Sequence, residues 1–186
     1  MRVALLVVAA LLTAGCTTAV EGPPPSPTGV VLPPRPREVR LEGVDPCSLL
    51  TAEQRGALGI TSEPRPGTIS SSALYGGDVS ICTMRGFTGK ATTLGIGLVT
   101  TSGIALWNAD RLDADVTPTS VQGFPAVLAV PRRFTEYCSV DVDVAQGQLV
   151  DVQFRDGGNR PQIPQSDLCI RARHAAEAVV ASLAAQ

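Results

Sequence analysis

The sequence reads CSVDVDVAQGQLVDVQFR over residues 138–155, and the predicted architecture follows from this stretch. Apolar and polar residues alternate before the Gln146-Gly147 turn and again after it. A period of two is typical of a β-strand, and a short glycine-containing turn joins antiparallel strands. We therefore predict a β-hairpin with one face toward the core. Its other face is expected to be solvated and to carry Asp141 and Asp143, with Asp151 near them across the hairpin.

Three more strands are predicted upstream of this hairpin. Alternation is clearest over residues 92–101, where Gly95 and Gly97 share one face. Shorter patterns predict strands over residues 79–85 and 126–130. Glycines on a strand face indicate close approach by another element.

Helical signals lie on both sides of this strand-rich region. Thr51 and Gln54 have the spacing of a capping box, which predicts a helix over residues 52–58. A short helix is also predicted over residues 103–110, and an amphipathic helix over residues 167–183. The apolar residues at helical spacing in the last segment are Leu168, Ala172, Ala175, Ala176, Val179 and Leu183. These elements predict an α+β fold, an antiparallel sheet with the N-terminal and C-terminal helices packed on one face.

The composition limits the chain to one domain. Its 186 residues, of which 44% are hydrophobic, suffice for one core and exclude a large multidomain enzyme. Lys and Arg number 15 against 17 Asp and Glu, and this balance argues against a nucleic-acid partner. One Trp, two Tyr and four Phe are too few for a long stacking platform for sugars or single-stranded nucleic acid.

The first sixteen residues have the pattern of an export signal. Met1 and Arg2 precede an apolar run over residues 3–12, and Thr13-Ala14-Gly15 leads to Cys16. The run is too short to span a bilayer, which needs about 20 apolar residues. Its Thr-Ala-Gly-Cys ending resembles a bacterial lipobox, with Thr13 where Leu is usual. We predict a lipoprotein signal peptide over residues 1–15 and lipidation of Cys16; ordinary soluble secretion is the alternative.

A proline-rich segment follows the predicted lipidation site. Residues 17–40 contain seven prolines and no apolar periodicity, which is typical of an unfolded spacer. We predict that residues 16–40 are a lipidated cysteine with its tether and that residues 41–186 form one extracytoplasmic domain. The protein is then anchored at the extracytoplasmic face of the cell membrane, with the membrane itself as a partner through Cys16.

Four cysteines remain after Cys16. In an exported protein an even number indicates disulfides, and no two have the spacing of a zinc site, so no metal or cofactor is predicted. Four cysteines allow three pairings. The hairpin places Cys138 beside the end of the second hairpin strand, whose connection leads to the helix that carries Cys169. We therefore favour Cys138–Cys169, which leaves Cys47–Cys82.

The segment Asp45-Pro46-Cys47-Ser48-Leu49-Leu50-Thr51 resembles a family motif. Together with the lipobox-like Cys16, the tether and three further spaced cysteines, it is similar to an actinobacterial family of secreted lipoproteins whose domain is of unknown function. The resemblance covers most of residues 41–186. It implies an envelope location and disulfides, and it implies no reaction.

No group of residues in the sequence predicts catalysis. His174 is the single histidine, and on a helical wheel it lies opposite the apolar stripe of its helix. Asp141 and Asp143 are interpreted as solvated strand residues. A second acidic group is interpreted as a loop and contains Asp110, Asp113 and Asp115. Asp156-Gly157-Gly158-Asn159 has the composition of a turn.

Three hypotheses for function remain. We expect a non-enzymatic envelope module that binds a protein partner. The alternative is a small-molecule or lipid-binding lipoprotein with an apolar cavity, in whose wall Gly95 and Gly97 leave room. A hydrolase that uses His174 or the Asp141 and Asp143 pair is the weakest of the three.

Overall fold

A computed structural model describes residues 32–108 and 112–186, which contain seven strands and two α-helices. The strands are β1 (Arg65–Ser71), β2 (Gly77–Gly86), β3 (Thr92–Val99), β4 (Ala114–Val121), β5 (Phe124–Pro131), β6 (Tyr137–Ala145) and β7 (Gln148–Asp156). The helices are α1 (Ala52–Ala57) and α2 (Gln165–Ala184), with 3₁₀ turns at Pro46–Ser48 and Ile104–Asn108. The signal peptide, Cys16, most of the tether and Asp110 lie outside the described residues.

The seven strands form one antiparallel sheet in the order β1-β2-β3-β7-β6-β5-β4. The predicted hairpin is confirmed as β6 and β7, which lie in the centre of the sheet. The valines of β6 and β7 face α2, and all six apolar positions predicted for this helix are buried. The main core therefore lies between α2 and the centre of the sheet.

The opposite face of the hairpin is not solvated, so this part of the prediction was wrong. Asp141 has no exposed surface, and Asp143 and Asp151 are each 7% exposed. Two short segments cover Asp141 and Asp151: the β1–β2 loop, which carries Tyr75, and the 3₁₀ turn Ile104–Asn108. Arg35 lies against Asp143. Alternation showed that the polar side chains share a face, but it carried no information about what covers that face.

The N-terminal helix does not pack on the sheet as predicted. The Thr51 and Gln54 capping box forms, but α1 is a small helix that buries no residue. Its sequence AEQRGA has no large apolar side chain to bury. Instead, Leu49 and Leu50 are buried beside the Pro46–Ser48 turn, which packs against β1, β2 and β3. Only the C-terminal helix of the described chain covers the sheet at length.

Two strands were missed in the sequence, β1 and β4. They are the two edge strands, and most of their residues are partly or fully exposed. Pro66 and Pro118 lie within them. Proline is tolerated at an edge because the outer row of backbone N–H groups has no strand partner. The two prolines and the exposed residues removed the alternation that would have predicted strands.

Both disulfides have the predicted pairing. Cys47 and Cys82 are joined at an S–S distance of 2.01 Å, and Cys138 and Cys169 at 2.18 Å. The first connects the Pro46–Ser48 turn to β2, and the second connects β6 to α2. The small N-terminal elements and the long helix are thus each fixed covalently to the sheet.

The last part of the predicted tether contacts the domain. Arg35 Nη1 donates to Asp143 Oδ2 at 2.7 Å, and the Val39 N–H donates to the Val144 carbonyl at 2.8 Å. Leu41 is buried. Residues 35–41 therefore enter the domain along the end of β6.

The turn between β7 and α2 is organised by one carboxylate. Asp156 accepts hydrogen bonds from the backbone N–H groups of Gly158, Asn159 and Ile163 at 2.6 to 2.8 Å, and from the Asn159 side chain at 3.0 Å. Burial alone would raise the pKa of Asp156. The hydrogen bonds from Ile163, Asn159 and Gly158 outweigh it and lower the pKa to about 2.

We predict that Asp156→Asn destabilises the protein by about 2 kcal/mol at pH 7. Because folding lowers the pKa of Asp156, its stabilisation is present above about pH 4 and is lost as the pH falls through about 2. The difference in the free energy of unfolding between the wild type and the variant should therefore shrink toward pH 2. Urea unfolding between pH 2 and pH 7 measures it. A difference that is independent of pH would contradict this prediction, and Asp167→Asn, at an exposed site in α2, is the control.

Candidate functional site

Two carboxyl groups face each other in the centre of the sheet. Asp141 on β6 and Asp151 on β7 are direct cross-strand partners, and both are buried. Like charges at directly opposed positions destabilise an antiparallel pair, and burial adds the cost of desolvation. Such an arrangement persists only where hydrogen bonds or a shared proton compensate for it.

Ser139 connects the two carboxyl groups. Its Oγ makes a short hydrogen bond with Asp151 Oδ1 and lies 3.4 Å from Asp141 Oδ2. Asp151 Oδ2 also accepts from the Tyr75 hydroxyl at 3.0 Å and from Gln153 Nε2 at 2.9 Å. Asp151 thus has three donors, which is the environment of a carboxylate anion.

The proton of the pair belongs on Asp141. Ser139 has one hydroxyl hydrogen, and Asp151 receives it; a protonated Asp141 can then donate to the Ser139 oxygen. Burial, followed by the negative charge of Asp151, raises the pKa of Asp141 well above its usual range. Burial also raises the pKa of Asp151, against the hydrogen bonds from Ser139, Tyr75 and Gln153. The hydrogen bonds thus favour the proton on Asp141 and the negative charge on Asp151.

Tyr75 remains a hydrogen-bond donor in this network. Burial, then the nearby charge of Asp151, raises the pKa of its hydroxyl. The indole N–H of Trp107 lowers the pKa of the Asp141 carboxyl. No fully formed hydrogen bond joins them, because Trp107 Nε1 and Asp141 Oδ1 both lack a partner among the described residues.

A cavity of about 330 Å³ lies beside the carboxyl pair on the same face of the sheet. Gly95 and Gly97 of β3 form its floor together with Asp151 and Gln153 of β7. Its apolar walls are Ile69, Val79 and Ile81. A Cβ added at Gly95 would approach Gln153 to 3.9 Å, which is ordinary contact, so a larger side chain there would occupy the cavity.

A second cavity, of about 170 Å³, lies on the other side of the network. Tyr75, Trp107 and Ser139 line it, together with the exposed side chain of Phe134. Gln153 lines both cavities. The buried carboxyl pair and its donors thus form the partition between two small recesses.

A third recess, of about 590 Å³, opens between residues 41–46 and the first two strands. Its carboxylates already have partners within the protein: Asp45 accepts from the Cys47 N–H, Asp78 from Ser70, and Glu42 from the Gln148 side chain. The lining of this recess is more polar than that of the cavity over Gly95 and Gly97.

The remaining sequence candidates are dispersed. His174 is exposed on α2, behind the sheet. Asp143 pairs with Arg35 and takes no part in the Asp141 network, and Asp113 and Asp115 pair with Arg132 on the surface. Within residues 32–108 and 112–186, no cluster of three or more His, Cys, Asp or Glu could hold a metal ion. None of the helices in these ranges is long and apolar enough to span a membrane.

Sequence reasoning missed the donors that complete the site. Ser139 and Gln153 share the predicted polar face by alternation, so their place beside the carboxyl groups could have been found. Tyr75 lies in a loop, and Trp107 lies in the segment predicted as a short helix, which forms the 3₁₀ turn Ile104–Asn108. No local signal placed either side chain over the hairpin.

We predict that Asp141→Asn makes stability less dependent on pH. Folding raises the pKa of this carboxyl, so the folded state binds the extra proton and stability declines as the pH rises above about 4. The neutral amide removes this decline. Between pH 5 and pH 8 the free energy of unfolding of the variant should therefore rise relative to that of the wild type by on the order of 1 kcal/mol. Thermal unfolding at both pH values tests this, with the exposed Asp113→Asn as control. An equal shift at both pH values would refute it.

Comparison with known proteins supports the expectation of a domain of unknown function. No curated protein and no solved structure matches the chain. The family model described as protein of unknown function (DUF3558) matches residues 11–182. Because this range is most of the chain, the protein belongs to the DUF3558 family.

Proposed function

We propose that this chain is a secreted lipoprotein of actinobacterial type, anchored through Cys16 at the extracytoplasmic face of the cell membrane. The apolar run over residues 3–12, followed by Thr13-Ala14-Gly15-Cys16, supports the anchor. Two disulfides in a chain of this size support an oxidising compartment outside the cytoplasm. The tether then separates the domain from the bilayer.

The anchor is tested by Cys16→Ser. Without the thiol no lipid can be attached, so we expect the variant to lose incorporated palmitate label and to leave the membrane fraction, whereas Thr17→Ser should retain both. Labelling and fractionation in a bacterium that lipidates exported cysteines measure the two outcomes. A Cys16→Ser chain that stays labelled in the membrane fraction would contradict the proposal.

The domain itself is proposed to bind a small apolar or amphipathic molecule without transforming it. The cavity over Gly95 and Gly97 carries this proposal. Its volume of about 330 Å³ is within the range of small-molecule sites, and it combines apolar walls with a few polar groups at the floor. Cavities of this kind serve recognition by shape and by a small number of hydrogen bonds.

The organisation of the polar network supports a non-enzymatic role. The Asp151 carboxylate is committed to three internal donors, and Asp141 is fully buried. General acid–base catalysis needs a group within hydrogen-bond reach of the reacting atom. His174 projects from the helix on the other side of the sheet and is too remote to serve this cavity.

A protein partner is the second candidate, and a separate observation favours it. Ile69 lines the cavity over Gly95 and Gly97 and is 44% exposed, and Phe134 lines the cavity of about 170 Å³ and is 58% exposed. Exposed large apolar side chains on one face are typical of a contact surface. Cross-linking of the envelope protein would then capture a partner on this face.

The ligand-binding proposal is tested with Gly95→Val. A valine at this strand position contacts Gln153 without backbone strain and fills the cavity. Native mass spectrometry of detergent-extracted protein should show a bound small molecule on the wild type and none on the variant. Gly56→Ala, at an exposed position of α1, should retain the molecule. A wild-type chain that carries only its own acyl groups would contradict ligand binding and favour the protein partner.

A further inference from the structure

The face that contains the cavity changes character along its strands. At one end Tyr75, Val79, Val99 and Leu149 form a buried apolar cluster. In the middle, the register aligns Thr83 with Gly95 and Gly95 with Gln153. Because Gly95 has no side chain, the floor of the cavity is open here. Because directly opposed residues in antiparallel strands point to the same side, each of these rows crosses the same face.

The other end of this face is cationic. The register aligns Arg85 with Thr93 and Thr93 with Arg155, and it aligns Arg65 with Thr83. The three arginines therefore lie on the face that carries the cavity, and Arg155 and Thr93 line the cavity itself. All three are exposed, and none forms an ion pair within the described ranges.

Arg155 is held in position at the edge of the cavity. Its guanidinium lies over the Tyr137 ring, 4.9 Å from the ring centroid. Such a contact restricts the arginine without neutralising its charge, and it leaves N–H donors free for an anion.

The negative charge of Asp151 lies away from this arginine row. Arg155 is four positions beyond Asp151 along β7, which is about 13 Å at 3.3 Å per residue. Asp151 already accepts three hydrogen bonds and needs no donor from a ligand. An anionic group in the cavity is therefore attracted to the arginine row and repelled from the opposite end.

We propose that the cavity binds an amphipathic anion, with its carboxylate or phosphate group at Arg155, which lines the cavity, and with Arg85 next to it across Thr93. The apolar chain lies across Gly95 and Gly97, against Ile69, Val79 and Ile81. This inference rests on the proposed ligand-binding function and adds the charge and the orientation of the ligand.

The test compares ligands that share one chain and differ in the head group. Binding of decanoate, decyl phosphate, decanol and decylamine to the purified full chain is measured by calorimetry below their micelle concentrations. We expect both anions to bind at least tenfold more tightly than decanol, and decylamine to bind most weakly. Arg155→Gln should weaken the anions about tenfold and leave decanol unchanged, since a charged hydrogen bond is lost. Arg173→Gln on α2 makes the same charge change behind the sheet and should alter nothing.

The outcomes separate this inference from the proposed function. Equal binding of all four ligands, tighter binding of decylamine, or anion binding that survives Arg155→Gln with Arg85→Gln would overturn the anionic class, provided that Gly95→Val still abolishes binding. Binding that is unaffected by Gly95→Val, or no binding of any of the four, would overturn both this inference and the cavity as the ligand site. Preference for one anion over the other distinguishes a carboxylate from a phosphate ligand.

Discussion

The cross-strand pair of Asp141 and Asp151 is the constraint on which the second face of this protein depends. Two carboxyl groups opposed in the centre of a sheet cannot both be charged and buried. One is neutral, and the other is surrounded by donors from Ser139, Tyr75 and Gln153. Tyr75 belongs to neither hairpin strand, so the β1–β2 loop must fold over the sheet to supply its hydroxyl.

This requirement gives the two faces of the sheet different structures. The face toward α2 is closed along its length by apolar contacts and by the Cys138–Cys169 disulfide. Among the described residues, the opposite face is covered where Tyr75 and the Ile104–Asn108 turn lie over the hairpin and where Arg35 lies against Asp143. Beyond that cover Gly95 and Gly97 have no side chains to fill the space, and the sheet itself becomes the floor of a cavity. The local cover and the glycines together define the open site.

The parts that could be predicted from the sequence depend on local periodicity. The hairpin and α2 followed from alternation and helical spacing. The disulfide pairing followed from the hairpin, which places Cys138 beside the connection to the helix that carries Cys169. The solvated face was wrong because charge alternation in a central strand has the same appearance whether the polar side is covered or open. Tyr75 lies in a loop rich in Ser and Gly, and Trp107 in a single 3₁₀ turn, so no repeat connected either to the hairpin. The edge strands were missed because Pro66 and Pro118 argue locally against a strand. Their position at the edges of the sheet allows proline, and the local sequence does not show that position.

A buried polar network costs stability relative to an apolar core, since apolar side chains of the same volume would fill the space without needing hydrogen-bond donors. Its effect here is geometric. Gln153 donates its amide to Asp151 and lines both cavities, and Tyr75 donates to the same carboxylate and lines the smaller one. The single charge on Asp151 thereby fixes the two side chains that shape the partition between the recesses. An apolar replacement would keep the core but would leave the position of Gln153 undefined, so the network specifies the form of the open face more than it stabilises the fold.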